Sequence, residues 1–481
     1  MAGSITILGL GPGDPELISR KAWQIISNAK EVYFRTNYQG LNKHIPASVH
    51  VCSFDEIYDR SEAFTDVYAS IVREILKLAA RPEGVIYAVP GDPYVGEATV
   101  PAILEGAALR QINVQVVPGI SFVEPCLEVV GYDALAGLYI ADALDLTTAF
   151  SPPFSPDFPA LIGQVHSRFV AADLKLCLLN QYPAEQEVIL IHGAGTAQSA
   201  QEKIPLLELD HSENISYMTS LYIPALKMAS GFESFQNTIA HLRSPEGCPW
   251  DQKQTHQSLR PHLLEEAYET LEALDNNDPR ALVEELGDLL LQIVLHAQIA
   301  SEVGDFQMTD IIAGINTKII HRHPHVFGEL AGLEVDEVLV NWERLKAEEK
   351  NHHNGALSGI PQALPALSQA AKIQTRVALV GFDWQEIHGV EEKILEELQE
   401  IRSAKNNQER QSELGDLLFS VVNYARWLEI DPEDALRNAN KRFRMRFQKL
   451  EEAINQSGRT LSELNLEEMD EIWEEVKRRN A

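Results

Sequence analysis

CPWDQKQTHQSLRPHLLEEAYETLEAL (Cys248–Leu274), followed after DNNDPRA by LVEELGDLLLQIVLHAQ (Leu282–Gln298), decides the architecture of the second half of the chain. Leu and Ile interleave with acidic residues in both segments, a pattern that predicts two amphipathic helices. Glu266 and Glu269 lie three apart on the first, and Glu285 and Asp288 three apart on the second. Residues at that spacing share a helix face, with Cβ atoms about 5–6 Å apart. DNNDPR predicts a tight turn, so the helices fold back as a hairpin and the four carboxylates converge between them. Unneutralised carboxylates in one place repel, so such a cluster either is solvated or holds a cation.

Outward from this stretch, 481 residues predict two to four domains of about 150 residues each. The apolar fraction of 45% suits globular domains with their own cores. Lys and Arg total 40 against 71 Asp and Glu, a net charge of −31, which argues against broad binding to nucleic acid or to anionic membrane. Cys52, Cys126, Cys177 and Cys248 are scattered without a C-x-x-C pair, so neither a zinc ribbon nor a disulfide framework is expected. The start, MAGSITILGLG, lacks a basic leader, and no continuous apolar run reaches the roughly 18 residues of a membrane span. These features predict a reduced, cytoplasmic, soluble protein.

Residues 1–225 alternate strand-like runs (SITILGL, EVYFRT, GVIYAVP, NVQVVPG, KLCLLNQY, EVILIHGA, ISYMTSLYIP) with helical stretches, which predicts an α/β domain with a largely parallel sheet. Residues 226–481 are denser in charge and helical throughout. NHHNGALSGIP (Asn351–Pro361) is the expected linker, dividing helical units 226–350 and 362–481. The two units repeat each other. LLEEAYETLEAL returns as ILEELQEI, EELGDLLLQIVLHA as SELGDLLFSVVNYA, NTKIIHR as NKRFRMR and NWERLK as IWEEVK. Glu266, Glu269, Glu285, Asp288, Asn316, Arg322, Trp342 and Lys346 thereby match Glu397, Glu400, Glu413, Asp416, Asn440, Arg446, Trp473 and Lys477.

An isolated E-x-x-E on a helix is usually a solvated face. Two such pairs in the same order, twice, point instead to a site. Oxygen-only ligands suit Mg²⁺ or Mn²⁺. A cation held beside basic side chains suits a polyphosphate, with Lys318 and Arg322 in the first unit and Arg442, Arg446 and Lys477 in the second as phosphate contacts. Trp342 and Trp473 are placed either to stack a base or to fill a core. His321, His323 and His325 invite a zinc reading, but alternating histidines around a proline more often serve packing.

Residues 244–481 resemble a tandem MazG-type nucleoside triphosphate pyrophosphohydrolase, carrying E-E-x-x-E followed by E-x-x-D twice, with CPWD, RHPHVFG and VGFDW. The resemblance implies an all-α site completed by dimerisation, and magnesium-dependent cleavage of a nucleoside triphosphate between its α and β phosphates. Metal ligands would be Glu266, Glu269, Glu285 and Asp288, and Glu397, Glu400, Glu413 and Asp416. Lys393 lies one turn before Glu397, where the first unit has His262. A lysine offsets carboxylate repulsion and reaches phosphate better than a mostly neutral histidine, so the second unit, with Lys393, Glu397, Glu400, Glu413 and Asp416, is the expected centre of catalysis.

In the α/β domain, GLGPGDP (Gly9–Pro15), PGDPYVG (Pro90–Gly96) and VVPGISF (Val116–Phe122) each follow a strand-like run, at the edge where open α/β sheets bind ligands. Together they resemble the tetrapyrrole methylase family, over about residues 3–225. That resemblance implies S-adenosylmethionine between two α/β halves, a tetrapyrrole or other methyl acceptor, and a cofactor cleft at Gly9, Pro12, Gly13, Gly91, Asp92, Pro118, Gly119 and Ser121. The leading expectation is thus a methylase-like α/β domain followed by two all-α pyrophosphohydrolase units, acting as a homodimer. Two alternatives stay open: an α/β domain that only senses S-adenosylmethionine or scaffolds the hydrolase, and helical units that are structural.

Overall fold

Ile5, Ile7 and Leu8 are fully buried along SITILG because this segment, β1 (Ser4–Gly9), has neighbours on both edges and helices over both faces. In the computed structural model, β1 pairs in parallel with β4 (Val85–Val89) and β5 (Asn113–Val117). β2 (Glu31–Phe34) and β3 (His50–Ser53) complete a five-stranded, wholly parallel sheet of order β3-β2-β4-β1-β5. On one face, Ile5, Ile7 and Tyr87 pack with Ile71 and Ile75 of α3 (Phe64–Leu78) and Ile103 of α4 (Thr99–Leu109). On the other, Leu8 and Ala88 meet Ala22 and Ile26 of α1 (Arg20–Asn28). The short α2 (Asp55–Arg60) precedes α3. The structure describes residues 3–36, 41, 43–60, 64–328 and 355–479, with isolated positions between 332 and 345.

A second sheet follows α5 (Val123–Val130). Its order is β6 (Tyr139–Asp142), β7 (Ala160–Gly163), β10 (Thr219–Ile223), β8 (Glu187–His192) and β9 (Ala200–Pro205). Only β6 and β7 are parallel; the other pairs are antiparallel, so the expectation of one largely parallel sheet holds for the first half of the domain alone. KLCLLNQY is also not a strand. Ser167 Oγ accepts the Val170 N–H, and α7 (Arg168–Leu178) runs from there, burying Ala171, Leu174, Cys177 and Leu178 on one face. The apolar run is a helix face, not a pleated edge, and its leucines, not branched at Cβ, favour that choice. The four-residue α6 (Ala143–Leu146) caps the end of β6.

The helical region begins at α8 (Phe232–Arg243), where Asp157 accepts the Ser230 and Gly231 N–H groups. After α9 (Pro249–Gln252) come α10 (Arg260–Asp275) and α11 (Pro279–Val303), which pack on each other as the predicted hairpin. Asn277 adopts φ 51°, and Asp278 caps α11 by accepting the Arg280 and Ala281 N–H groups. Arg243, almost wholly buried, holds α8 to α11 through paired bonds to Glu302 (2.8 and 2.7 Å) and binds the Asp251 and Gln254 carbonyls. Among the described residues α11 is the one helix long and apolar enough to cross a membrane. Its Val294, Leu295, Ala297 and Ile299 instead share a core cluster with Ile239, Leu259 and Met308.

α12 (Met308–Arg322) and α13 (Pro324–Phe327) follow. Lys346 and residues 351–354 of the expected linker lie outside the described residues, and 355–361 form no helix or strand. Two compact units emerge, Met1–Ile311 and Ile312–Ala481. Their division falls within α12 rather than at the linker. The second unit contains α14 (Ala366–Leu379), α15 (Ile387–Ser403), α16 (Asn407–Trp427), α17 (Pro432–Gln456) and α18 (Leu466–Arg479). Asn406 and Asp431 cap α16 and α17, and Gln374 Nε2 donates to the Phe419 carbonyl at 2.7 Å, tying α14 to α16.

Candidate functional sites

β4, β1 and β5 are adjacent and parallel, so their three glycine turns emerge side by side. Gly11 and Gly91 bond reciprocally, N–H to carbonyl (3.2 and 2.8 Å). Asp92 receives the Gly119 N–H at 3.0 Å. The turns are too close for side chains: a Cβ on Gly9 would stand 2.5 Å from Gly119 N, and one on Gly119 would stand 2.3 Å from Gly91 O. Ser121 bonds Glu124 (2.6 Å) and opens α5. Asp14, next to Gly13, donates its N–H to the Gly195 carbonyl (3.1 Å), and a Cβ on Gly195 would strike Pro12. Pro12 and Gly13 therefore lie where the turns of the first sheet meet a loop of the second. The cofactor-cleft residues expected from sequence fall in one neighbourhood. Bare backbone at close quarters is what approach to a ligand requires.

Beside these turns is a polar group that sequence reading passed over. Arg35, just after β2, donates to Glu97 Oε2 (2.5 Å) and to Tyr58 Oη (2.9 Å), and lies over the Tyr68 ring at 5.5 Å. Glu97, with a side chain 1% exposed, also accepts from the N–H and hydroxyl of Thr99. Burial opposes a charged Arg35, but the charges of and hydrogen bonds to Glu97 and Tyr58 together overcome it and raise its pKa. Across from Gly96, Gln164 at φ 62° donates to Asp142 (2.5 Å), whose pKa burial raises. Arg35 and Asp142 stand at the C-terminal ends of strands, and a charged residue directly at the end of a strand-like run is the sequence signal for such a position.

In the helical hairpin, Glu266 of α10 and Glu285 and Asp288 of α11 bring carboxylate oxygens within 4.8 Å of one another. Burial, then Asp288 and Glu269, raise the Glu266 pKa; burial, then Glu269, raise that of Glu285. Glu269 is therefore close enough to be felt but stands outside the closest three. His262 turns its Nδ1 toward Glu265 (3.6 Å).

The second unit builds the same constellation from α15 and α16. Glu397, Glu413 and Asp416 offer oxygens within 4.8 Å of one another. Glu400 stands outside this trio and, after burial, is the leading cause of the raised Glu413 pKa. Glu397 is 3% exposed. Its Oε1 accepts from Lys393 Nζ at 2.8 Å, and its Oε2 is buried with no hydrogen-bond partner. An unpaired, buried carboxylate oxygen beside two further carboxylates is costly unless a cation completes it, so the residues present fit a divalent ion.

The basic and aromatic candidates are less gathered. Arg442 is exposed and Arg446 half-buried on α17, and Lys318 is exposed on α12. Lys477 pairs with Glu474 on its own helix (2.5 Å). Trp473 packs on Phe443, ring centres 5.1 Å apart, and Trp342 meets His323 edge-on at 4.7 Å. His323 also bonds the Ile319 carbonyl, the packing role expected of that histidine run.

A glycine-turn α/β domain joined to helical hairpins bearing carboxylate clusters defines a class of protein, a methylase-type domain fused to nucleotide-pyrophosphohydrolase-type helices. The family model for tetrapyrrole (corrin/porphyrin) methylases matches residues 4–210, and that for the MazG nucleotide pyrophosphohydrolase domain matches residues 254–327. The chain is 39% identical over 487 residues to the uncharacterized protein YabN of Bacillus subtilis, covering 99% of each, and it belongs to this YabN-like family of methylase–MazG fusions. It is 50% identical over 247 residues to the nucleoside triphosphate pyrophosphohydrolase/pyrophosphatase MazG of Thermotoga maritima, covering 51% of this chain and 95% of that one. The Escherichia coli nucleoside triphosphate pyrophosphohydrolase is 45% identical over 248 residues, covering 50% of this chain and 94% of that one. Among solved structures, uroporphyrin-III-C-methyltransferase from Thermus thermophilus aligns with 47% of this chain and 93% of its own, at 20% identity and a TM-score of 0.38.

Proposed function

We infer that the chain is a divalent-metal-dependent nucleoside triphosphate pyrophosphohydrolase, converting the triphosphate to monophosphate and pyrophosphate, with an α/β domain that binds S-adenosylmethionine. The observation that carries the hydrolase reading is Glu397, whose buried, unpartnered Oε2 lies in a trio with Glu413 and Asp416. Relatives named as nucleoside triphosphate pyrophosphohydrolases support it.

Glu397, Glu413 and Asp416, with Glu400 alongside, would hold Mg²⁺ or Mn²⁺ in the second unit; Glu266, Glu285 and Asp288, with Glu269, would do so in the first. An ion held by these carboxylates would supply positive charge to the phosphates and would favour attack of water on the α-phosphorus. The carboxylates would orient that site, and Lys393, 2.8 Å from Glu397, would contribute charge to the departing pyrophosphate. Lys318 and Arg322, and Arg442, Arg446 and Lys477, are assigned to phosphate, with Trp473 lining the nucleoside side. In the α/β domain, the backbone at Gly9, Pro12, Gly13, Gly91, Pro118 and Gly119, shaped by Asp92 and Ser121, would cradle S-adenosylmethionine, which supplies an electrophilic methyl group. The domains are assigned as 1–225, 226–350 and 362–481, working as a cytoplasmic homodimer.

The test is a panel of nucleoside triphosphates with Mg²⁺ omitted and restored. Monophosphate and pyrophosphate should appear only with metal; orthophosphate as the product rejects the reading. Glu397→Gln with Glu413→Gln should remove most turnover, and Glu266→Gln with Glu285→Gln less. The reverse order would put catalysis in the first unit. Calorimetry with S-adenosylmethionine tests the α/β domain independently.

A further inference from the structure

The two carboxylate trios differ in what neutralises them. In the second unit, Lys393 Nζ stands 2.8 Å from Glu397 Oε1 and 3.1 Å from Glu396 Oε1. The lysine is one-third exposed at the tip of a flexible stem, while the Glu397 carboxylate is 4% exposed. In the first unit the same helical position holds His262, whose ring faces Glu265 and stands near Trp250, and among the described residues no ion pair joins a cation to Glu266. Among the described residues, one site thus carries a cation paired to its buried carboxylate and the other does not.

We propose that Lys393 is a built-in counter-cation of the second site. It competes with a divalent ion for Glu397 when no nucleotide is present and turns to the phosphates when nucleotide arrives. This rests on reading both hairpins as divalent-cation sites. An ammonium in a charge-assisted hydrogen bond to a buried carboxylate must be displaced, or endure repulsion, when a second cation enters. A triphosphate changes the balance, because its oxygens offer the flexible ammonium new acceptors and leave Glu397 to the metal. The first site, lacking such a group, takes the ion alone. The second site takes the ion more readily with nucleotide than without it, so its metal occupancy depends on substrate as well as on free metal.

The experiment is Mn²⁺ titration of the full-length chain, reading free Mn²⁺ by electron paramagnetic resonance, with and without a non-hydrolysable α,β-methylene triphosphate. In a Glu266→Gln, Glu285→Gln background only the second site remains. There Lys393→Met should tighten Mn²⁺ about tenfold without nucleotide, the loss of one charge-assisted competitor. With nucleotide present the same substitution should give no tightening. Lys393→Gln is the second variant, and circular dichroism checks that each folds. If Lys393→Met and Lys393→Gln leave Mn²⁺ affinity unchanged or weaker without nucleotide, the counter-cation role is overturned while the metal-site reading stands. If no Mn²⁺ binds in wild type or variants, both are overturned.

Discussion

Asp92 Oδ2 accepts the backbone N–H of Gly119 at 3.0 Å while its Oδ1 accepts that of Tyr94 at 2.9 Å. One carboxylate therefore closes the turn after β4 and pins it to the turn after β5, 27 residues later. Replacing Asp92 by Ala should weaken S-adenosylmethionine binding by about tenfold or more, since charge-assisted hydrogen bonds contribute about 1.5–3 kcal/mol. Calorimetric affinity unchanged from wild type would remove Asp92 from the cleft's supporting frame.

Gly119→Ala is a sharper test of the same geometry. The added Cβ would stand 2.3 Å from Gly91 O and 2.9 Å from Gly9 Cα, and backbone atoms cannot swing aside as a side-chain tip would. A loss of about 1–3 kcal/mol in urea unfolding is expected from such overpacking.

The carboxylate trios predict how metal and pH act together. Glu266, Glu285 and Glu413 have pKa values raised above the ordinary 4.5, by burial first and then by their acidic neighbours. A carboxyl raised in the folded state costs stability above that raised pKa, and the cost is relieved as pH falls toward and below 4.5. Mg²⁺ should therefore raise the melting temperature over a chelator control at neutral pH, and the difference should shrink through the carboxyl range. A difference independent of pH would mean that the ion binds elsewhere.

Arg243 links α8, α11 and the carbonyls of the CPWDQKQ segment. Arg243→Met should cost about 2–3 kcal/mol in denaturant unfolding, because it strands Glu302 and two carbonyls together, a value moderated by the partial exposure of Glu302. The Glu302 pKa is lowered chiefly by its hydrogen bond from Arg243. This pair's stabilisation is present above pH 4.5 and lost as pH falls through the depressed value. The wild-type advantage over Arg243→Met should narrow in acid.

His256 and His296 stack with Nδ1 atoms 2.7 Å apart, which requires one proton between them. Burial, then the His256 charge, lowers the His296 pKa from 6.5, so the contact contributes above that value and is lost as pH falls through the depressed one. NMR titration should show His296 protonating below the ordinary histidine range. In a His256→Phe variant its pKa should move up.

Much of this was legible in residues close along the chain. The α10–α11 hairpin follows from leucine spacing and from Asp278 and Pro279 at a helix start; Glu266 with Glu269 and Glu285 with Asp288 are faces set by 3.6 residues per turn. The glycine turns were marked by β-branched runs ending in Gly-Pro or Pro-Gly. Helical period, turn chemistry and caps act over about four residues, and sequence alone determined them. What it left open was settled by partners far apart. Whether KLCLLNQY is strand or helix depended on which core its leucines entered. That three turns lie side by side depended on the strand order β4-β1-β5. Arg35 and Glu97, 62 residues apart, form a pair only because β2, which Arg35 directly follows, and β4, which precedes the turn leading to Glu97, are neighbours in the sheet. Which carboxylate oxygen lost its water was likewise a tertiary matter: Glu397 is buried and its counterpart Glu266 only half so, although their local motifs match. Desolvation depends on everything packed around a group, and only the fold assembles that surrounding.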